Sequence, residues 1–256
     1  MSGPGLDRTF ALLAGHGVTA PAWFVPYADA GRRIAARRTA LLADTLNAAL
    51  PPVALAAGPL QFVPQAHLPE GEAYEAFIAR TAQVPTRDHP HDLFNGLVWH
   101  RFAQLKRHLN ERQADEIARR GIGPRRGPVR DALTLFDENA AWLQAPAALL
   151  EALRARAWHT AFVTLRAAWA DARLVVFGHA LMEKLLLSPH KSITAHVWAV
   201  PEGVDAEVHL AETLTPERLA RKADFPLPLA GVPGWCAENE CASFYEDVSV
   251  FRPLRR

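Results

Sequence analysis

The chain has 256 residues, 50% of them apolar and 21% charged, and its 28 Lys and Arg against 27 Asp and Glu leave a net charge of +1. That balance supplies no global field toward nucleic acid or an anionic membrane, and no stretch approaches the ~18 uninterrupted apolar residues of a membrane span. Asp7 and Arg8 in an opening without an apolar run argue against a secretory leader, and two cysteines, Cys236 and Cys241, are too few for a disulfide framework and wrongly spaced for a CxxC unit, so a soluble cytoplasmic chain with reduced thiols is expected.

The first thirty residues read as irregular, with Pro21, Trp23 and Pro26 laid on the core. From Arg32 to Leu50, Ile34, Leu41, Leu42, Leu46 and Leu50 recur at helical spacing, and Pro51 and Pro52 stop that helix. Gln61–Val63 suits a short strand, and Glu70–Ala82 a helix with Tyr74, Phe77 and Ile78 on one face. Next, Asp88 stands where an N-cap should stand, ahead of a broad apolar stripe of Leu93, Phe94, Leu97, Val98, Phe102, Leu105 and Leu109 running toward Gln113. Arg119 to Arg130 holds five arginines among Gly and Pro and reads as an exposed loop.

Val129–Phe136 has strand character and stops at Asp137, Glu138 and Asn139. Helical patterns follow over Pro146–Arg156 and Trp158–Ala170, then a strand at Arg173–Phe177, a helix over His179–Leu187 and a strand at Ser192–Val200. A helix near Pro216–Arg221 precedes a tail, 224–256, rich in Pro and aromatics and expected to wrap the core as coil. The rhythm of strand, helices and strand implies parallel crossovers. The predicted fold class is therefore a helix-rich α+β single domain over 1–256, with a small, partly parallel sheet flanked by helices.

In parallel sheets functional groups gather beyond the carboxyl ends of strands. Two predicted strands end in polar clusters: one in Asp137, Glu138 and Asn139, the other, through Gly178, in His179 with Glu183 a helical turn on. If these strands are neighbours, two carboxylates and a histidine meet at one edge, a donor set for a divalent ion. A third cluster, Asp88, His91, Asp92 and Asn95, opens the central helix with residue types that ligate metal or polarise water. Each cluster also has a structural reading, as helix caps and exposed pairs. An HNH nuclease does not fit, because only five residues separate His89 from Asn95. The arginine loop lacks the interleaved aromatics of a single-strand binder, and nothing resembles a Walker loop, a GxSxG elbow or a GxGxxG fingerprint.

Several long motifs carry a family resemblance. They are Pro85-Thr86-Arg87-Asp88, His91 through Trp99, Lys106 with Leu109-Asn110 and Gln113, Arg130 through Asn139, Phe177 through Lys184, Gly231 through Trp235, Phe244 through Asp247, and Val250 through Pro253. Together they resemble a bacterial family known as domain of unknown function 3025, over about Tyr74 to the end. The resemblance implies a bacterial origin and no activity, so it carries no functional residues over.

The leading reading of the residues is a metal-assisted hydrolase. Asp137, Glu138 and His179 would hold a divalent ion, with Glu183, His91 and Asp92 near them. Asp88, Asn95, Lys106, Arg130 and Asn139 would bind, and Lys106 and the arginine loop would offset a phosphoester's charge. The alternative is a non-catalytic binding protein whose polar clusters are caps and buried networks. A third reading, a small-molecule sensor, predicts a cavity lined by Trp99, Trp142 or Trp198.

Overall fold

The computed structural model describes residues 3–15, 20–49, 51, 53–121 and 127–254. Their contacts fall into two compact units. One takes the chain up to Thr134 together with Ala211–Ala220; the other takes Leu135–Leu210, Arg221 onward and Pro21–Trp23. The architecture is α+β and helix-rich, with small sheets flanked by helices. Among the described residues, no helix is long and apolar enough to cross a membrane.

The first unit begins with α1 (Pro4–Ala14), a correction to the irregular start expected there. Pro4 fits the first helical turn, where its missing N–H costs nothing. Leu6, Phe10 and Leu13 bury one stripe, and Gly15 closes the helix with φ 71°. The single helix expected over Arg32–Leu50 is instead α2 (Ala28–Ala35) and α3 (Leu42–Ala49); Leu50 and Pro52 lie outside the described residues. Two hydrogen bonds hold the break. Thr39 N donates to Thr45 Oγ1 at 2.9 Å, and Leu42 N donates to Asp88 Oδ1 at 2.7 Å. Asp88 thus caps α3 rather than the central helix. Asp88→Ala is expected to cost about 1 kcal/mol while Asp88→Asn keeps most of it; an unchanged urea midpoint in the alanine variant would remove this assignment.

A small hairpin, β1 (Ala54–Leu55) and β2 (Gly58–Pro59), leads to β3 (Gln61–Pro64), the strand expected at Gln61–Val63. After α4 (Tyr74–Thr81) comes β4 (Gln83–Thr86), unanticipated in the sequence, which pairs parallel with β3. The Asn47 amide bonds both the N–H and the C=O of Phe62 at 2.8 Å and so imitates a strand beside β3. The long central helix divides into α5 (Pro90–Arg101) and α6 (Ala103–Arg120) at Phe102, whose φ −131° and ψ 51° are not helical. His89 caps α5, its Nδ1 accepting from His91 N at 3.2 Å. Arg119 and Arg120 end α6 and pair with Glu116, while Arg125 and Arg126 of the predicted loop lie outside the described residues.

The largest correction is α7 (Pro128–Asn139), a helix where a strand was expected at Val129–Phe136. Val129, Ala132, Leu133 and Phe136 are all buried, which is helical periodicity. The strand follows without a connecting residue as β5 (Ala140–Gln144), buried along its whole length.

The second unit is built on a four-stranded sheet. Its chain runs from β5 to α8 (Ala147–Arg154), then through short π and 3-10 turns at Thr160–Thr164 and Arg166–Asp171, where one regular helix was expected. β6 (Arg173–Val176), α9 (His179–Leu187) and β7 (Thr194–Ala199) stand where the sequence placed them. α10 (Ala206–Thr213), whose last residues belong to the first unit, was not anticipated; α11 (Pro216–Ala220), which also belongs to the first unit, was; and β8 (Phe225–Pro228) of the second unit corrects the expectation of coil.

The strand order is β6–β5–β7–β8. Only β5 and β7 are parallel; β6 and β8 run antiparallel to their neighbours. Beyond β8 the tail is fastened by Asn239, which is fully buried and donates to Ala230 O and Val232 O at 2.8 and 2.7 Å. Phe162 stacks on Trp158 and Tyr245 and meets Phe251 edge-on. Cys236 and Cys241 are free thiols, as expected, and burial pushes that of Cys236 up.

Candidate metal centre at the edge of the central sheet

Antiparallel pairing brings the carboxyl end of β6 to the amino end of β5: Ala141 stands opposite Val176, and Leu143 opposite Leu174. The Ala140 carbonyl accepts from both Phe177 N and Gly178 N at 2.9 Å. The last residues of α7 and the first of α9 therefore meet at one sheet edge. The expectation that Asp137, Glu138 and His179 converge is met, by a different topology from the one that suggested it. Asp137 and Glu138 end a helix rather than a strand, and the two strands are antiparallel neighbours.

Gly178 makes the approach possible, and the sequence reading gave it no role beyond a turn. A Cβ placed there would lie 2.4 Å from Glu138 O and 2.5 Å from Asn139 N. Nothing as small as a methyl group fits against that peptide, and backbone cannot swing aside as a side chain can. A glycine directly before a histidine was the only signal available; the reason for it appears once the register is known.

His179 is 3% exposed, at the first position of α9. Its ring lies between the two carboxylates: Nδ1 stands 3.8 Å from Asp137 Oδ2, and Nε2 stands 3.6 Å from Glu138 Oε2. Both separations exceed a hydrogen bond. The carboxylates differ in access, with the Asp137 side chain 18% exposed and that of Glu138 31%. Glu183, half-buried, follows one turn along α9, and Lys184 reaches Asn139 Oδ1 at 3.4 Å.

The remaining candidates belong to the first unit. Asp92, 7% exposed, holds Arg87 through its main-chain N–H (2.6 Å) and its guanidinium (2.8 and 3.0 Å), which fastens the turn ahead of α5. Asn95 donates to the Tyr74 hydroxyl at 3.1 Å and accepts from Lys106 Nζ at 2.8 Å, so this buried amide and amine form a polar link between α4, α5 and α6. His91 lies half-buried on the first turn of α5, and Arg130 on α7. Of the indoles of the sensor reading, Trp142 stands 5.8 Å from Phe177, Trp198 stands 4.6 Å from Phe136, and Trp99 is 2% exposed in the first unit.

A family model described as a protein of unknown function, DUF3025, matches residues 60–255. The chain belongs to DUF3025. The match begins before the expected Tyr74, taking in β3 as well as the motif-bearing segments. Comparisons with curated proteins and with solved structures found no match. The chemistry of this DUF3025 chain rests on its own side chains.

Proposed function

We propose that the second unit binds a divalent metal ion between Glu138 and His179 and acts as a metal-assisted hydrolase. The observation that carries this reading is the 3.6 Å separation of His179 Nε2 and Glu138 Oε2. Two ligand atoms each ~2.0–2.2 Å from a tetrahedral ion stand about 3.3–3.6 Å apart. A gap too long for a hydrogen bond is thus the right width for a shared cation.

Asp137 has a different part from the direct ligation read in the sequence. It faces Nδ1, the ring nitrogen turned from Glu138, where a carboxylate fixes the tautomer and orientation of a ligating histidine. Burial of His179 holds the ring in place, while the more exposed Glu138 leaves a side open to solvent and substrate. A bound ion would lower the pKa of its water toward ~7 and so supply a nucleophile near neutral pH. Glu183, on the same helix face one turn from His179, is the general base in this reading. Lys106 and Arg130, expected from the sequence to offset a phosphoester's charge, belong to the first unit.

Metal analysis of the purified full chain tests the reading. Near-stoichiometric metal is expected, lost in His179→Ala and Glu138→Ala and bound about 10–100-fold more weakly in Asp137→Ala. Absence of metal after supplementation with zinc, manganese and iron, or full retention in His179→Ala, would overturn it. The polar edge would then be a structural network, and the protein a binding rather than a catalytic one.

A further inference from the structure

One face of the central sheet carries polar groups for which the proposed centre has no use. Ala140 pairs with His196 and Trp142 with Trp198. One step beyond the Ala141–Val176 pair, Phe177 stands opposite Ala140 and donates its N–H to the Ala140 carbonyl. Side chains alternate between faces along a strand. Phe177, Ala140 and His196 therefore form one rung, and Val175, Trp142 and Trp198 the next on the same face. Phe136 of α7 covers it, 5.2 Å from Phe177 and 4.6 Å from Trp198.

Trp198 is 1% exposed, and its Nε1–H is buried with no acceptor in reach. A buried donor left unmade is destabilising, and native interiors rarely leave one so. Two other indoles of this unit are satisfied, Trp158 by Arg252 O and Trp169 by Ala161 O, each at 2.9 Å. His196 lies two residues away along β7, about 6.6 Å on the same face. It is half-buried, and no hydrogen bond joins its side chain to any described residue. Burial holds its pKa below 6.5, so at neutral pH the ring is uncharged, with one N–H to give.

We propose that Trp198 and His196 form a recognition site for an uncharged carbonyl oxygen, that of an ester or amide, beside the hydrolytic edge. The indole N–H can only donate, so its partner must be an acceptor. Neither rung carries a Lys or Arg, and Phe136, Phe177 and Trp142 surround the site, so an anion there would lose its hydration without a counter-charge. A neutral carbonyl meets both conditions. His196, the more exposed of the pair, marks the way in. Its rung ends at Phe177 and Ala140, the neighbours of Gly178 and Asn139, so the rung runs toward the segments that carry Glu138 and His179. The link to hydrolysis rests on the metal-centre reading; the carbonyl binding does not.

The test is a titration of the metal-free full chain with acetamide, followed by 1H–15N NMR of the indole Nε1–H signals. Trp198→Phe assigns the signal, and inorganic phosphate serves as the comparison. A saturable shift of the Trp198 signal with a Kd on the order of millimolar is expected for so small a probe, with no response to phosphate. His196→Leu should weaken binding about tenfold, the loss of roughly one hydrogen bond, and His196→Gln, which keeps a donor, should restore most of it. No saturable shift, an equal response to phosphate, or a water contact to the indole proton that acetamide leaves unchanged would each overturn the proposal. Loss of the metal-centre reading would appear instead in the metal analysis, with the acetamide titration intact.

Discussion

Gly178→Ala is expected to damage the second unit and its candidate metal centre together. The added methyl group would lie within 2.5 Å of the Glu138–Asn139 peptide, on backbone atoms at the junction of α7 and β5. Relief requires α9 to move away from that junction, and His179 is the first residue of α9. Overpacked positions cost about 1–3 kcal/mol, more where backbone must shift, so a loss near 3 kcal/mol in urea unfolding is expected. Metal affinity should fall alongside by about 10–100-fold, the scale on which misplaced supporting groups act. Ala180→Gly, one residue beyond His179, serves as the comparison: it weakens the helix by about 1 kcal/mol without touching that peptide, and should leave metal affinity nearly intact. Native stability and metal affinity in Gly178→Ala would show that the close approach is not needed.

The second large effect is a loss of stability in mild acid, centred on His100 in α5. This ring is 6% exposed, stacks on Phe62 with centroids 6.1 Å apart, and places Nε2 3.2 Å from Leu46 O. Its Nδ1 is buried with no hydrogen-bond partner. Burial lowers its pKa from 6.5 to about 4, and the nearby Arg33 charge adds to this. In the unfolded chain the ring takes a proton below about 6.5, whereas in the folded chain it does so only near 4. Stability from this group is therefore complete above about pH 6.5, falls as the pH drops from there toward 4, and levels off below. The full difference is about 3 kcal/mol. His100→Gln, which can still donate to Leu46 O but does not titrate in this range, should flatten that part of the profile. An equal slope in the variant and the native protein would place the acid sensitivity elsewhere.

The convergence at the sheet edge was legible in the sequence because its residues are near their elements' ends. Gly178, His179 and Glu183 follow a short apolar run and open a helix whose bounds the structure reproduces. Asp137, Glu138 and Asn139 close an apolar segment that is a helix where its composition suggests a strand. Val129, Leu133, Leu135 and Phe136 suit a strand by composition, yet their burial follows a helix, and the true strand starts only at Ala140. The residues still met at one edge, since antiparallel pairing joins the start of β5 to the end of β6. What local spacing could not reveal is which distant group a polar side chain serves. Asp88 looks like the cap of the helix it precedes, but its carboxylate is taken by Leu42 N, and Asn47 is occupied by the backbone of Phe62. The buried Asn95–Lys106 link likewise depends on how α5 and α6 pack, which periodicity does not specify.

Asn139 is the last residue of α7 and Ala140 the first of β5, with no linker between them. Most folds absorb a gained or lost residue in a loop, but here there is no slack to absorb it. One residue inserted at this seam would either turn Asp137 and Glu138 by about 100° around the helix axis or slide β5 by one place and exchange its two faces. The first outcome dismantles the carboxylate pair; the second carries Trp142 out of its aromatic layer. The spacing from Asp137 to Trp142 is thus set by geometry, because helix phase and strand register are tied together at a seam with no loop between them.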